Sequence, residues 1–192
     1  MYNYQRTIES EVSFSGIGLH TGEHSNLCLK PAQVDTGIVF ILLDGSKKIN
    51  IKACYKNVVD TNRGTTLGNG KYKIHTVEHL LSAIYANGID NLYIEIDNIE
   101  PPILDGSSID FYNSISKVKI KKFTKERKKI VIKEPIYFLD EKNDVEISIL
   151  PFNGFKVTFN AQFEYGTDKK QKFVLEDIKD FHSEIASART FC

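Results

Sequence analysis

His75-Thr76-Val77-Glu78-His79 is the segment of this chain with the densest potential chemistry. Two imidazoles and a carboxylate fall within five residues, in the pattern HxxEH. Neutral imidazole is a good zinc ligand. A neighbouring carboxylate can take a proton from water that a metal has acidified, since zinc lowers the pKa of its water to about 7. The same spacing has plainer readings. A glutamate near a helix start is favourable through the helix dipole alone, and a histidine in a first turn is an ordinary surface residue. HxxEH is also the inverted zinc-peptidase motif. Spacing alone leaves these readings open.

Other segments hold polar groups without a specific pattern. Gly16-Ile17-Gly18-Leu19-His20-Thr21-Gly22 is a Gly-rich turn carrying a histidine. Its glycines sit at the wrong intervals for a dinucleotide fingerprint, and a hairpin loop explains it equally well. Asp60-Thr61-Asn62-Arg63-Gly64-Thr65-Thr66 could face a phosphate or line a pocket. Ala188-Arg189-Thr190-Phe191 closes the last expected helix. His182 has no Asp four residues later. No P-loop, GxSxG or cysteine–histidine protease pattern is present.

The elements that must position these groups are mostly strands. Segments 12–14, 26–30 and 37–43 alternate or are β-branched, and turn residues bound them. A helix follows over 76–87, with Thr76 as N-cap and Gly88 just past its end. At about 100° per residue, Glu78 and His79 fall within roughly 60° of His75, and Val77, Leu80, Leu81 and Ile84 form the opposite, apolar face. If Thr76 caps the helix, His75 lies outside it and its face is undetermined. Segment 92–96 alternates as a strand. A Glu-Pro-Pro turn, the turn Asp105-Gly106-Ser107 and a short helix over 109–115 come next.

Residues 117–129 carry a run of lysines and read as a solvated connector. Beyond it the strand pattern restarts at 130–132, 136–139, 145–150 and 155–163, and a final helix is expected over 175–188. Leu27–Pro31 followed by Gly37, and Ile147–Pro151 followed by Gly154, suggest a repeat with an offset of about 120 residues. The expected fold class is α/β (α+β). A two-layer α/β sandwich domain occupies residues 1–120, and a second domain of similar topology starts at 128–192 and is truncated.

Composition narrows the function classes. The 192 residues balance 25 Lys+Arg against 25 Asp+Glu, for a formal net charge of zero. That gives no electrostatic case for nucleic acid or an anionic membrane surface. Cys28, Cys54 and Cys192 are odd in number and scattered, which argues against a disulfide scaffold or a cysteine zinc knuckle. No apolar run approaches the ~18 residues of a membrane span, and the N-terminal residues lack the apolar stretch of a secretory signal. The simplest compartment is a reducing cytoplasm.

Five blocks change the picture when taken in order: GIGLHTG, DTNRGTTLG, HTVEHLLSAIYANGIDNLYIEI, PPILDGSSIDF and ASARTF. Together they resemble the UDP-3-O-acyl-N-acetylglucosamine deacetylases, which make the committed step toward lipid A in Gram-negative bacteria. The resemblance implies two α/β sandwiches with the active site between them, a single zinc, and a UDP-linked acylated amino sugar as small-molecule substrate. By the same resemblance His79 is a zinc ligand and Glu78 the general base. Thr190 resembles the hydroxyl that helps hold the tetrahedral oxyanion, and Phe191 a substrate-contacting aromatic. Arg63 and Gly64 fall where the family lines its pocket near the metal, and His20 resembles a substrate-side contact. His75 has no required metal role in the family, which sets the peptidase reading aside.

The resemblance also implies what should come later in the chain. The family takes its other two zinc ligands, a His and an Asp, from an HxxxD segment beyond ARTF. Its general-acid histidine and a lysine near the metal lie there too. The sequence given ends at Cys192. The expectation is therefore an incomplete, inactive piece of the enzyme. The alternative is a non-catalytic fragment that binds UDP-sugar without turnover. A monomer is expected.

Overall fold

The computed structural model describes residues 2–163 and 170–190. These form a mixed α+β structure. In chain order the first elements are β1 (Tyr4–Ile8), β2 (Val12–Ile17), β3 (His24–Pro31), β4 (Ile38–Asp44) and β5 (Lys47–Lys52). A 3-10 turn at Tyr55–Asn57 leads to β6 (Val58–Asp60), β7 (Thr66–Asn69) and β8 (Tyr72–Ile74). Then come α1 (Glu78–Ala86), β9 (Leu92–Ile96), α2 (Ile109–Lys117) and β10 (Ile120–Glu126). The remainder is β11 (Ile136–Asp140), β12 (Val145–Ile149), β13 (Val157–Gln162), β14 (Lys170–Leu175), a 3-10 turn at Ile178–Asp180 and α3 (Phe181–Glu184).

The chain divides into two compact units. One comprises residues 2–127 and 181–190, the other residues 128–180. In the first, a five-stranded sheet runs in the order β2-β3-β9-β4-β5. Strand β9 lies antiparallel to β3 and parallel to β4. Its sequence LYIEI has the two-residue period of a strand, and Leu92, Ile94 and Ile96 all point into the core. Leu27 and Leu29 of β3 and Phe40 and Leu42 of β4 extend that apolar face.

Two helices cover it. On α1, Leu80, Ala83 and Ile84 are buried at the three- and four-residue spacing of one helical face. Phe111 and Ile115 of α2 repeat the device. Gly88, at φ +70°, ends α1 in a Schellman motif: its N–H donates to Tyr85 O (2.9 Å) and Ile89 N–H to Ile84 O (3.2 Å). A Cβ on Gly88 would lie 2.6 Å from the Tyr2 ring, so both conformation and space select glycine.

In the unit of residues 128–180, β11 pairs with β12 and β13 with β14, both antiparallel. Asp140 accepts from the Lys142 and Asn143 amides and the Asn143 side chain, closing the first hairpin's turn. These strands carry exposed apolar side chains, among them Phe138, Ile147 and Phe159.

Several local expectations need correction. The lysine-rich segment expected as a connector contains β10, which pairs antiparallel with β1. An edge strand tolerates a lysine run because its outward face is solvated. Residues 130–132 form no strand. The helix expected over 175–188 is confined to α3, because residues up to Leu175 belong to β14. Residues 181–190 group with residues 2–127 in one compact unit. Thr76 does not cap α1. The helix starts at Glu78, with Val77 in the cap position, and Thr76 has a left-handed φ of +51°.

Candidate active site

The first turn of α1 carries Glu78 and His79, both half-buried. A two-point clamp fixes that turn to the start of β7. Thr65 N–H donates to Glu78 Oε2 at 2.9 Å, and Val77 N–H donates back to Thr65 O at 3.3 Å. Gly64 makes room: a Cβ there would come 3.1 Å from Glu78 Oε1. The clamp leaves Oε1 without a hydrogen bond among the described residues. Its neighbour His79 likewise has no side-chain hydrogen bond among them. A carboxylate oxygen and an imidazole, both unengaged and adjacent in sequence, are what proton transfer beside a metal ligand requires.

The loop between β6 and β7 and the turn after β2 face one another here. His20 Nε2 lies 3.2 Å from Arg63 O. Asn62 N–H donates to Asp60 Oδ1, which tightens the loop around Arg63 at φ +57°. A pocket of about 240 Å³ opens between them, lined by His20, Arg63, Gly64, His75 and Thr76 with Asp60 and Asn62. His75 lies outside the helix. Its Nδ1 is 3.0 Å from Thr66 Oγ1, and its amide donates to Ile99 O at 2.8 Å.

Sequence reading gave no role to Glu100. It is 1% exposed and sits beneath this pocket. His20 N–H, Thr21 N–H and Thr21 Oγ1 all donate to its Oε2, at 3.0, 2.9 and 3.0 Å. Thr76 Oγ1 donates to Oε1 at 2.6 Å. Burial pushes this carboxyl up, but the hydrogen bonds from Thr76, Thr21 and His20 together outweigh burial and hold it below the usual glutamate value. Its place before Pro101-Pro102 marks a turn, and turn glutamates are ordinarily exposed.

Thr190 is held by a different group of residues. Its N–H donates to Gly106 O at 2.8 Å, and the neighbouring Arg189 guanidinium approaches Asp105 Oδ2 at 3.4 Å. Hydrogen bonds from Ser107, with Arg189 beside it, keep the Asp105 carboxyl below its ordinary range despite partial desolvation. The same turn reaches α1: Ser108 Oγ is 3.0 Å from Ser82 Oγ, which donates to His79 O at 2.9 Å. A continuous chain of contacts thus runs from Thr190 to the helix that carries Glu78 and His79. Phe191 lies outside the described residues.

The expected residues therefore fall into two groups. His20, Arg63 and Gly64 share the pocket, with Glu78 against Gly64. Thr190 belongs to the turn at 105–108, and neither it nor His79 lines that pocket. Among the described residues, no three His, Cys, Asp or Glu side chains are placed to hold a metal ion. His79 fits as one donor. A catalytic zinc site takes three protein ligands, so His79 would serve there together with donors beyond the described residues.

The family model described as LpxC: UDP-3-O-acyl N-acetylglycosamine deacetylase matches residues 5–192. The chain belongs to this deacetylase family. It is 41% identical over 98% of its length to the UDP-3-O-acyl-N-acetylglucosamine deacetylase of Geobacter sp. (strain M21), of which it covers 61%. Against the deacetylase of Thermodesulfovibrio yellowstonii the identity is 44%, over 98% of this chain and 63% of the relative. The bifunctional enzyme LpxC/FabZ of Chlorobaculum tepidum is 40% identical over the whole chain, which covers 41% of it. The chain thus spans about three fifths of the length of the curated deacetylases it matches. Among the described residues, no helix is long and apolar enough to cross a membrane.

Proposed function

We propose that these 192 residues form the Glu78–His79 side of a zinc-dependent amide hydrolase that removes the N-acetyl group from UDP-3-O-acyl-N-acetylglucosamine, on the route to lipid A. The observation that carries the reading is the pair at the start of α1. Glu78 is pinned through Oε2 by the Thr65 amide, and His79 has an unengaged imidazole next to it.

Zinc, when bound, supplies Lewis acidity that polarises the acetyl carbonyl and acidifies water. His79 is one donor to it, and the remaining donors come from outside the described residues. Glu78 Oε1 takes the proton of the attacking water as its oxygen bonds to the acetyl carbon, while the Thr65 N–H on Oε2 holds the carboxylate in one orientation; the C–N bond then breaks, and the leaving amine takes its proton from a group outside the described residues. The Thr190 hydroxyl donates to the oxygen that gains negative charge, held in place by the Gly106 and Asp105 contacts of its segment. His20 and Arg63, which line the pocket, contact the substrate. Phe191 supplies an aromatic contact to it. The unit of residues 128–180 belongs to a second α/β domain, and the protein acts as a monomer in the cytoplasm of a Gram-negative cell.

The test is acetate release by the full-length protein. Glu78→Gln preserves shape and removes the proton acceptor, so the rate should fall by about 10²–10⁴. An undiminished rate would reduce Glu78 to a helix-dipole partner. A second reading is that this chain alone holds UDP-sugar without turning it over. It is favoured by the lack of a three-donor metal cluster among the described residues. The 192-residue chain should then bind UDP-sugar and release no acetate with added zinc.

A further inference from the structure

Thr76 is a β-branched residue at φ +51°, in a conformation that L side chains rarely adopt. It persists because its surroundings over-determine it. His75 N–H donates to Ile99 O at 2.8 Å on one side, and Val77 N–H to Thr65 O at 3.3 Å on the other. Between them the Thr76 hydroxyl donates to buried Glu100 at 2.6 Å. Two residues later α1 begins, so the direction of its first turn, with Glu78 and His79, follows from how Thr76 is held.

Glu100 also grips the opposite wall. Its Oε2 accepts the amides of His20 and Thr21 and the Thr21 hydroxyl. Among the described residues no Lys or Arg forms an ion pair with it, so these donors alone compensate the buried carboxylate. The backbone fits round it closely: a Cβ on Gly18 would lie 2.5 Å from Glu100 Oε2 and 2.4 Å from Thr21 Oγ1.

We infer that Glu100 is a positioning residue with two arms: through the Thr76 hydroxyl it sets the start of α1 with Glu78 and His79, and through the His20 and Thr21 amides it sets the substrate-side loop. It touches neither substrate nor reacting atoms. Glutamine fits poorly in its place. An NH₂ at the Oε2 position would face the His20 and Thr21 amides, and at the Oε1 position it would face the His20 amide at 3.2 Å and reverse the Thr76 hydrogen bond. The two arms act on different kinetic quantities. Misplacing Glu78 lowers kcat, whereas misplacing His20 raises KM.

The kinetic part rests on the deacetylase reading, and the experiment separates the two. In the full-length protein, kcat and KM for acetate release are measured for Thr76→Val, Thr76→Ser, Thr21→Val and Glu100→Gln, per folded and zinc-loaded site. Thr76→Val should lower kcat about tenfold or more with KM within about twofold. Thr76→Ser keeps the hydroxyl and should retain at least about a third of the parent kcat. Thr21→Val should raise KM at least about threefold with kcat little changed, and Glu100→Gln should do both. Losses that move kcat and KM together in every variant, no loss, or a serine as damaged as the valine would overturn the inference.

Amide hydrogen exchange provides the readout that does not depend on turnover. The His20 and Thr21 amides should exchange about tenfold faster or more in Glu100→Gln and be unchanged in Thr76→Val. If the parent protein releases no acetate, the deacetylase reading fails while this measurement still decides the positioning role. Unchanged exchange in Glu100→Gln sinks it.

Discussion

Gly18 and Gly22 bracket the His20 turn, and alanine at each should destabilise the protein for a different reason. Gly22 has φ +66° and nothing within 4 Å of a would-be Cβ. Its alanine meets only backbone strain, about 1–2 kcal/mol, partly offset by about 0.4–1 kcal/mol from a stiffer unfolded chain. Gly18 has an ordinary φ but no room, since a Cβ would sit 2.4 Å from Thr21 Oγ1 and 2.5 Å from Glu100 Oε2. Neither atom can yield cheaply. The Thr21 hydroxyl and Glu100 are bonded to each other at 3.0 Å, and Glu100 is 1% exposed and held by three further groups. Losing one hydrogen bond to a charged acceptor costs about 1.5–3 kcal/mol. After the unfolded-state gain, Gly18→Ala should cost about 1.5 kcal/mol and Gly22→Ala about 1 kcal/mol or less. At about 2–4 °C per kcal/mol for a chain of this size, the Tm shifts are about 3–6 °C and at most about 4 °C. Thermal unfolding followed by far-UV circular dichroism measures both. A Gly18→Ala protein within about 1 °C of the parent, or a larger loss at Gly22, would refute the crowding argument.

Other perturbations have equally defined outcomes. Glu100 titrates below the usual glutamate value in the fold, so it binds protons less readily there than when unfolded. Its stabilisation is fully present above about pH 4.3 and is lost as pH falls through the lower folded value. Glu100→Gln should therefore flatten the acid limb of the stability curve, and a limb identical to the parent's would contradict the sign of the shift. Leu80, fully buried on the core face of α1, should cost about 2–5 kcal/mol on truncation to alanine, read by urea unfolding; a cost under about 1 kcal/mol would place it outside the core.

Much of the site-bearing architecture was legible in residue types. Strand β9 matches its expected bounds because LYIEI alternates without interruption. The end of α1 was legible because Gly88 permits the left-handed turn that closes the helix. The beginning of α1 was not. Threonine is a good N-cap by type, but the hydroxyl of Thr76 is engaged by Glu100, 24 residues away in sequence. Local propensity carries no trace of such a partner. The same holds for Glu100, whose turn context reads as surface until its donors from residues 20, 21 and 76 converge on it. Strand β10 hid in a lysine run, because β1 covers only part of it and most of its side chains stay in water. For the site itself, spacing joined Glu78 to His79 and stopped there. The Thr65 clamp and the approach of His20 to Arg63 are tertiary facts.

The proposed metal donor is His79 rather than His75. His75 precedes α1 and His79 lies in its first turn; His75 has Thr66 Oγ1 at 3.0 Å from its Nδ1, and the His79 ring has no such partner among the described residues. The direct measurement is bound zinc per chain, after dialysis, in the full-length protein and in its His79→Ala and His75→Ala variants. About one zinc is expected in the parent and in His75→Ala, and close to none in His79→Ala. Equal loss in the two variants, or zinc retained by both, would contradict it.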